Sequence, residues 1–151
     1  MTETYAKDSD HLEFKIINPY GIEDWVEDSS VKEVVEIYIN GKEIIEILKE
    51  IEIPFANNEG HISIAGAYGH LTPNELYSEL MDSEESALVC CGDCGLIGCW
   101  AVVINVEMDE DYVYWKEFRH NHRDWEYNIS FKFHRTEYEN VLKKIFVQEG
   151  Y

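Results

Sequence analysis

The sequence is poor in positive charge. Only 12 lysines and arginines face 31 aspartates and glutamates in 151 residues, a net charge of −19. The imbalance is local: residues 1–110 hold 24 acids and 5 bases, whereas residues 111–151 hold 7 of each. A field of this sign repels phosphate backbones and anionic lipid surfaces, so nucleic-acid and membrane-surface binding are not expected. It attracts and steers a basic protein. Long apolar runs are also missing, and none approaches the ~20 residues that span a bilayer. The opening MTETYAKDSD is acidic and lacks the basic-then-apolar order of a signal peptide, so a cytoplasmic protein with reduced thiols is expected. Prolines number three, and no repeat, low-complexity tract or Gly/Pro-rich linker interrupts the chain, which reads as one domain over 1–151.

What is present is a packable chain, 45% hydrophobic and 13% aromatic, above the range of disordered segments. HLEFKII alternates Leu12, Phe14 and Ile16, and VKEVVEIYIN alternates Val35, Ile37 and Ile39; both read as strands. YGIEDWVEDSS between them reads as an acidic loop carrying Trp25. After Asn40-Gly41, a turn signal, KEIIEILKEIE spaces Ile44, Ile45, Ile47, Leu48 and Ile51 as a helix, expected to end before Pro54. GHISIAGAYGH reads as a short strand and a glycine-containing loop; His61 and His70 flank it without the spacing of a phosphate-binding loop. Thr72-Pro73-Asn74-Glu75 combines a cap, a first-turn proline and a capping-box glutamate, opening a helix to about Met81.

Four strand-like segments follow: SALVCC, CWAVVINVE, YVYWKEF and YNISFKF. Thr136 with Glu139 predicts another capping box, and Tyr138, Val141, Leu142 and Ile145 form a last helical stripe. The expected fold is α+β, a mainly antiparallel sheet with a C-terminal meander and about three helices packed on it.

All four cysteines fall within ten positions, Cys90 to Cys99. A hairpin centred on Asp109-Glu110 sets Glu107 opposite Tyr112 and Cys99 opposite His120. The loops Cys91–Cys99 and His120–Glu126 then meet at one end of the sheet. Cys91 and Cys94 have the spacing that grips one tetrahedral zinc, with Cys99 as a third ligand and His120 or His122 as a fourth. Only one Cys-x2-Cys is present, so buried packing of small cysteines at a turn competes with a metal. A thiol-redox role lacks the helix start that lowers a thiol pKa, and Asp93 opposes it. His120 and His122 with Asp124 offer general-base chemistry, although no nucleophile motif accompanies them. Trp100, Arg119, Arg123, Asp124 and Trp125 complete the candidate binding residues at this end.

These residues form an ordered pattern: Cys94, Gly95, Gly98, Cys99; Trp115, Phe118, Arg119; His122, Arg123, Trp125, Tyr127; Phe131, Phe133; Tyr138. Over roughly residues 87–145 the chain resembles a widespread family of small uncharacterised bacterial proteins. Its members carry a Cys-Gly-x-x-Gly-Cys turn and then Trp-x-x-Phe-Arg, His-Arg and Trp-x-Tyr. The resemblance implies no activity. Where many members have proline after the last Cys and Trp/Gly, this chain has Ala101. The favoured functional expectation is a non-enzymatic interaction module, binding a basic partner in the manner of immunity proteins or other inhibitors. The alternative is a small zinc-binding or enzymatic domain using the Cys/His end.

Overall fold

Strand β1 (Leu12–Ile17) pairs antiparallel with β2 (Val34–Ile39), as the alternating residues require. In a computed structural model, the structure describes residues 9–17, 33–82, 85–91 and 100–148; Trp25 and its acidic loop lie outside these. Asn40 and Gly41 both have positive φ, 55° and 84°, the mark of a two-residue hairpin turn. Against the expectation of a turn leading straight into a helix, it forms a hairpin: Lys42–Glu43 (β3) pairs with Ile39 and Tyr38 before the chain becomes helical.

Helix α1 spans Ile44–Asn58. Glu43 caps it, accepting the Ile45 N–H at 3.2 Å. The helix runs through Pro54, against the expected stop. Pro54 is exposed, so it removes one helical hydrogen bond on the solvent side, while Ala56 beyond it is buried. The helix stops where Gly60 takes φ +81°, with Gly60 N–H bonding Asn57 O at 3.0 Å and His61 N–H bonding Ala56 O at 3.0 Å. This is a Schellman closure, which needs the left-handed conformation that glycine adopts without strain.

The strand expected near His61 lies later. Residues Ile62–Ile64 form one 3-10 turn, and β4 is Tyr68–His70. Helix α2 (Pro73–Asp82) starts as the capping box requires: Thr72 Oγ1 accepts the Glu75 N–H at 3.2 Å and Glu75 Oε1 accepts the Thr72 N–H at 3.0 Å. SALVCC is two short strands rather than one. β5 (Ser86–Ala87) pairs with β7 (Val102–Met108), while β6 (Val89–Cys91) pairs with β4. Cys90 and Cys91 therefore belong to a separate two-stranded sheet.

β7, β8 (Tyr112–His120) and β9 (Phe131–His134) form the expected meander, giving sheet order β5-β7-β8-β9. Its register differs from the expectation: Glu107 faces Tyr114, and Val102, not Cys99, faces His120. Asp109 explains the first shift. Its Oδ1 accepts the Asp111 and Tyr112 N–H groups at 2.8 and 2.7 Å and its Oδ2 accepts the Tyr114 hydroxyl at 2.8 Å, moving the turn along the chain. A bulge adds one residue on β8, at Glu117-Phe118 opposite Ile104. Glu117 there has φ +58°.

Helix α3 (Arg135–Gln148) follows β9 directly. It starts one residue before Thr136, so Thr136 is inside the first turn and not its cap. The Arg135 N–H instead bonds Asp111 O at 2.8 Å, and its side chain reaches Glu139 at 3.0 Å. The Ile145 side chain lies outside the described residues. Among the described residues the fold is α+β with three α-helices, and most of the buried apolar residues form one cluster. Asp10 links the N-terminal sheet to the meander, its N–H bonding Lys132 O at 2.7 Å. Trp115, Phe133 and Tyr138 form the aromatic centre, edge-on and stacked within about 6 Å.

Candidate functional site

The C-terminal half of α1 carries a carboxyl group on its buried face. Ile44, Leu48, Glu52 and Ala56 follow one another at helical spacing and all are fully buried. Glu52 Oε1 accepts the Gly66 N–H at 2.7 Å. Its Oε2 accepts the Tyr127 hydroxyl at 2.5 Å and the Tyr68 hydroxyl. Burial pushes the carboxyl up from its ordinary range, against the three donors that hold it down. Burial first, and then the neighbouring acidic groups, push both tyrosines up, so each remains a donor. Gly66 has φ +70°, and a Cβ there would stand 2.7 Å from the Lys49 Cβ. Only glycine lets this backbone reach the carboxylate.

The second part of the site stands at the end of β8. His120 is buried, and its Nδ1 accepts the His122 backbone N–H at 2.9 Å. The neutral ring therefore carries its hydrogen on Nε2, which is buried without a hydrogen-bond acceptor. Four rings surround it: Trp100 at 4.2 Å between centroids, Trp125 at 5.5 Å, Tyr68 at 6.1 Å and His122 at 6.4 Å. Burial lowers its pKa to about 4, helped by His122 and Arg123 and opposed by Glu59.

Glu59, which caps the end of α1, joins the helix to this cluster. Its Oε2 accepts the Trp125 indole N–H at 2.8 Å, and its Oε1 lies 3.3 Å from Arg123 Nη1. The Arg123 guanidinium lies over Trp100 at 5.2 Å and over Trp125 at 5.9 Å. Phe55 stacks behind Trp125 at 6.2 Å and 17°.

The two loops predicted to share an end are anchored together at their described ends. Ala101 N–H donates to Asn121 Oδ1 at 2.9 Å and the Asn121 N–H to Ala101 O at 3.0 Å. Cys91 is buried opposite Tyr68; Cys94 and Cys99 lie outside the described residues. His122 and Asp124 are exposed. Arg119 turns away, pairing with Glu85 at 2.8 Å and with Glu117 O at 2.7 Å. Among the described residues no group of three or more His, Cys, Asp or Glu is placed to hold a metal. His120 as oriented offers no lone pair: Nδ1 is occupied by the His122 N–H and Nε2 carries the hydrogen.

Sequence reading placed Trp100, Arg123 and Trp125 here and missed Glu52, Phe55, Glu59 and Tyr68. Glu52 left a signal, a charge at an apolar position of the helical stripe. Glu59 left none, because one acid among many at a helix end is ordinary surface content.

No family model, no curated protein and no solved structure matches the chain. No helix among the described residues is long and apolar enough to cross a membrane.

Proposed function

We propose that the protein is a binding module for a basic protein partner and performs no catalysis. The carrying observation is the net charge of −19 together with its placement. Glu52 is the one acid buried among the described residues. Asp109, Glu110 and Asp111 crown the β7–β8 hairpin, and Glu13, Glu33, Glu46 and Glu75, all within the acidic first 110 residues, are exposed. Acids held at the surface of a rigid scaffold set up the field that steers a cationic protein and contribute more to association rate than to contact energy. The buried Glu52 is saturated by donors, which suits a tie between elements rather than a general acid.

The test is retention of partners from a lysate of the source cell on the immobilised chain, with a Glu107→Gln/Glu110→Gln/Asp111→Asn variant as control. Basic partners should be retained at about 20 mM salt, lost by about 200 mM, and held less by the variant. Partners that ignore salt, or no partner at all, overturn the reading.

A zinc site at the Cys/His end is the second reading, supported by Cys91 standing opposite Tyr68, whose ring lies against His120. His120 enters such a site only if the His122 N–H releases Nδ1. Elemental analysis of the purified chain decides it, and clearly substoichiometric zinc with titratable thiols overturns it.

A further inference from the structure

Arg123 sits in an unusual place for a surface arginine. Its guanidinium lies over two indole faces, Trp100 and Trp125, and reaches one carboxylate, Glu59, at a loose 3.3 Å. Its Nε is buried with no acceptor. Trp125 holds Glu59 independently through the 2.8 Å indole bond, so the carboxylate keeps its position whatever Arg123 does. About a third of each side chain, Arg123 36% and Glu59 34%, remains open to solvent. Two indoles with an oriented carboxylate at their edge are the recognition elements for a cationic side chain. Asp124 and Glu126, both exposed, flank Arg123 and Trp125 in the chain. His120, which lines the cluster, is neutral above its depressed pKa of about 4 and adds no opposing charge.

We propose that the corner where the Trp100 and Trp125 rings meet edge-to-face, 6.5 Å between centroids, with Glu59 at its edge, receives an arginine side chain of the basic partner, and that Arg123 covers it in the free chain. The proposal rests on the basic-partner reading and names where that partner inserts. Charge complementarity supports it, and so does the chain's own guanidinium, which already stands over both indoles and beside the Glu59 carboxylate. Binding then exchanges one guanidinium for another. Arg123 acts as a self-contact that lowers apparent affinity by the fraction of time it covers the two indoles.

The test is a fluorescence titration of the full chain with an acetylated tetra-arginine peptide, with tetra-lysine and tetra-glutamate peptides beside it. Arg123→Ala should bind the arginine peptide about fivefold to tenfold tighter than wild type, with a larger change in tryptophan emission. The gain should vanish when Trp100→Ala is added, and the lysine peptide should gain less. Arg123→Gln, which keeps length and a donor toward Glu59, serves where Arg123→Ala fails to fold, and should gain in the same direction. Equal, salt-sensitive binding by all forms overturns the arginine site while leaving the basic-partner reading in place. The absence of salt-sensitive binding in every form overturns both.

Discussion

At His120 the neutral imidazole persists because the groups around it give a proton little support. Trp100, Trp125 and Tyr68 exclude water, the His122 N–H occupies Nδ1, and Arg123 repels a charge that Glu59 only partly offsets. The folded pKa of about 4 lies below the ordinary 6.5. The unfolded chain therefore binds this proton first. The contribution to stability is complete above pH 6.5 and is lost as pH falls toward 4, about 3 kcal/mol in all. Glu52 has the opposite sign: its raised folded pKa makes a contribution present below 4.5 that is lost as pH rises. Replacing His120 by Phe should isolate the first effect. Wild type should lose about 2 kcal/mol more than His120→Phe between about pH 7 and about pH 5, read from urea midpoints. Parallel loss in both proteins would show that His120 is not the acid-sensitive group.

The bulge in β8 decides which way its last residues face. One extra residue at Glu117-Phe118 changes the pairing parity, so that His120 ends buried and Arg119 faces Glu85. Glu117 adopts φ +58° and its side chain is exposed. A non-glycine residue is strained in that conformation and here gains nothing from burial. Glu117→Gly should raise stability by up to about 1 kcal/mol without moving the cluster, seen as a higher thermal midpoint with unchanged tryptophan emission. A lower midpoint would mean that the bulge is not limited by backbone strain. The elements themselves were legible where one face is buried: the alternation of β1 and β2, the stripe of α1 and the capping box of α2 all stand as read. Legibility failed where a local signal was outweighed. Pro54 did not stop α1, because the helix is held beyond it by burial and by the Schellman closure. The hairpin register escaped sequence reading because the Asp109 side chain, not its position in the loop, fixes the turn.

Over the whole molecule the charge is a cost as well as a means of attraction. A net −19 on 151 residues repels itself in the compact state. The ion pairs that offset it are mostly exposed, such as Lys42–Glu50 and Lys116–Glu107, and each contributes little, roughly 0–1 kcal/mol. Raising salt from about 20 mM to about 200 mM should therefore stabilise the protein even as it weakens binding of a basic partner. Destabilisation by salt would show that the ion pairs outweigh the general repulsion. The ordered aromatic and basic residues of the C-terminal half divide spatially. Trp115, Phe133 and Tyr138 build the core, while Arg123, Trp125 and Tyr127 meet α1 at the end of the sheet.

By itself the sequence determined the α+β class, the amphipathic elements and the sign of the electrostatic field, because periodicity and net charge are properties of neighbours along a chain. It also brought Trp100, Arg123 and Trp125 to the same end. Only the tertiary structure decided their partners. Glu52 and Glu59 lie in a helix distant in sequence, and hydrogen bonding to Tyr127 and Trp125 across that distance depends on packing and on a single bulge. Neither the packing nor the bulge leaves a trace in local spacing.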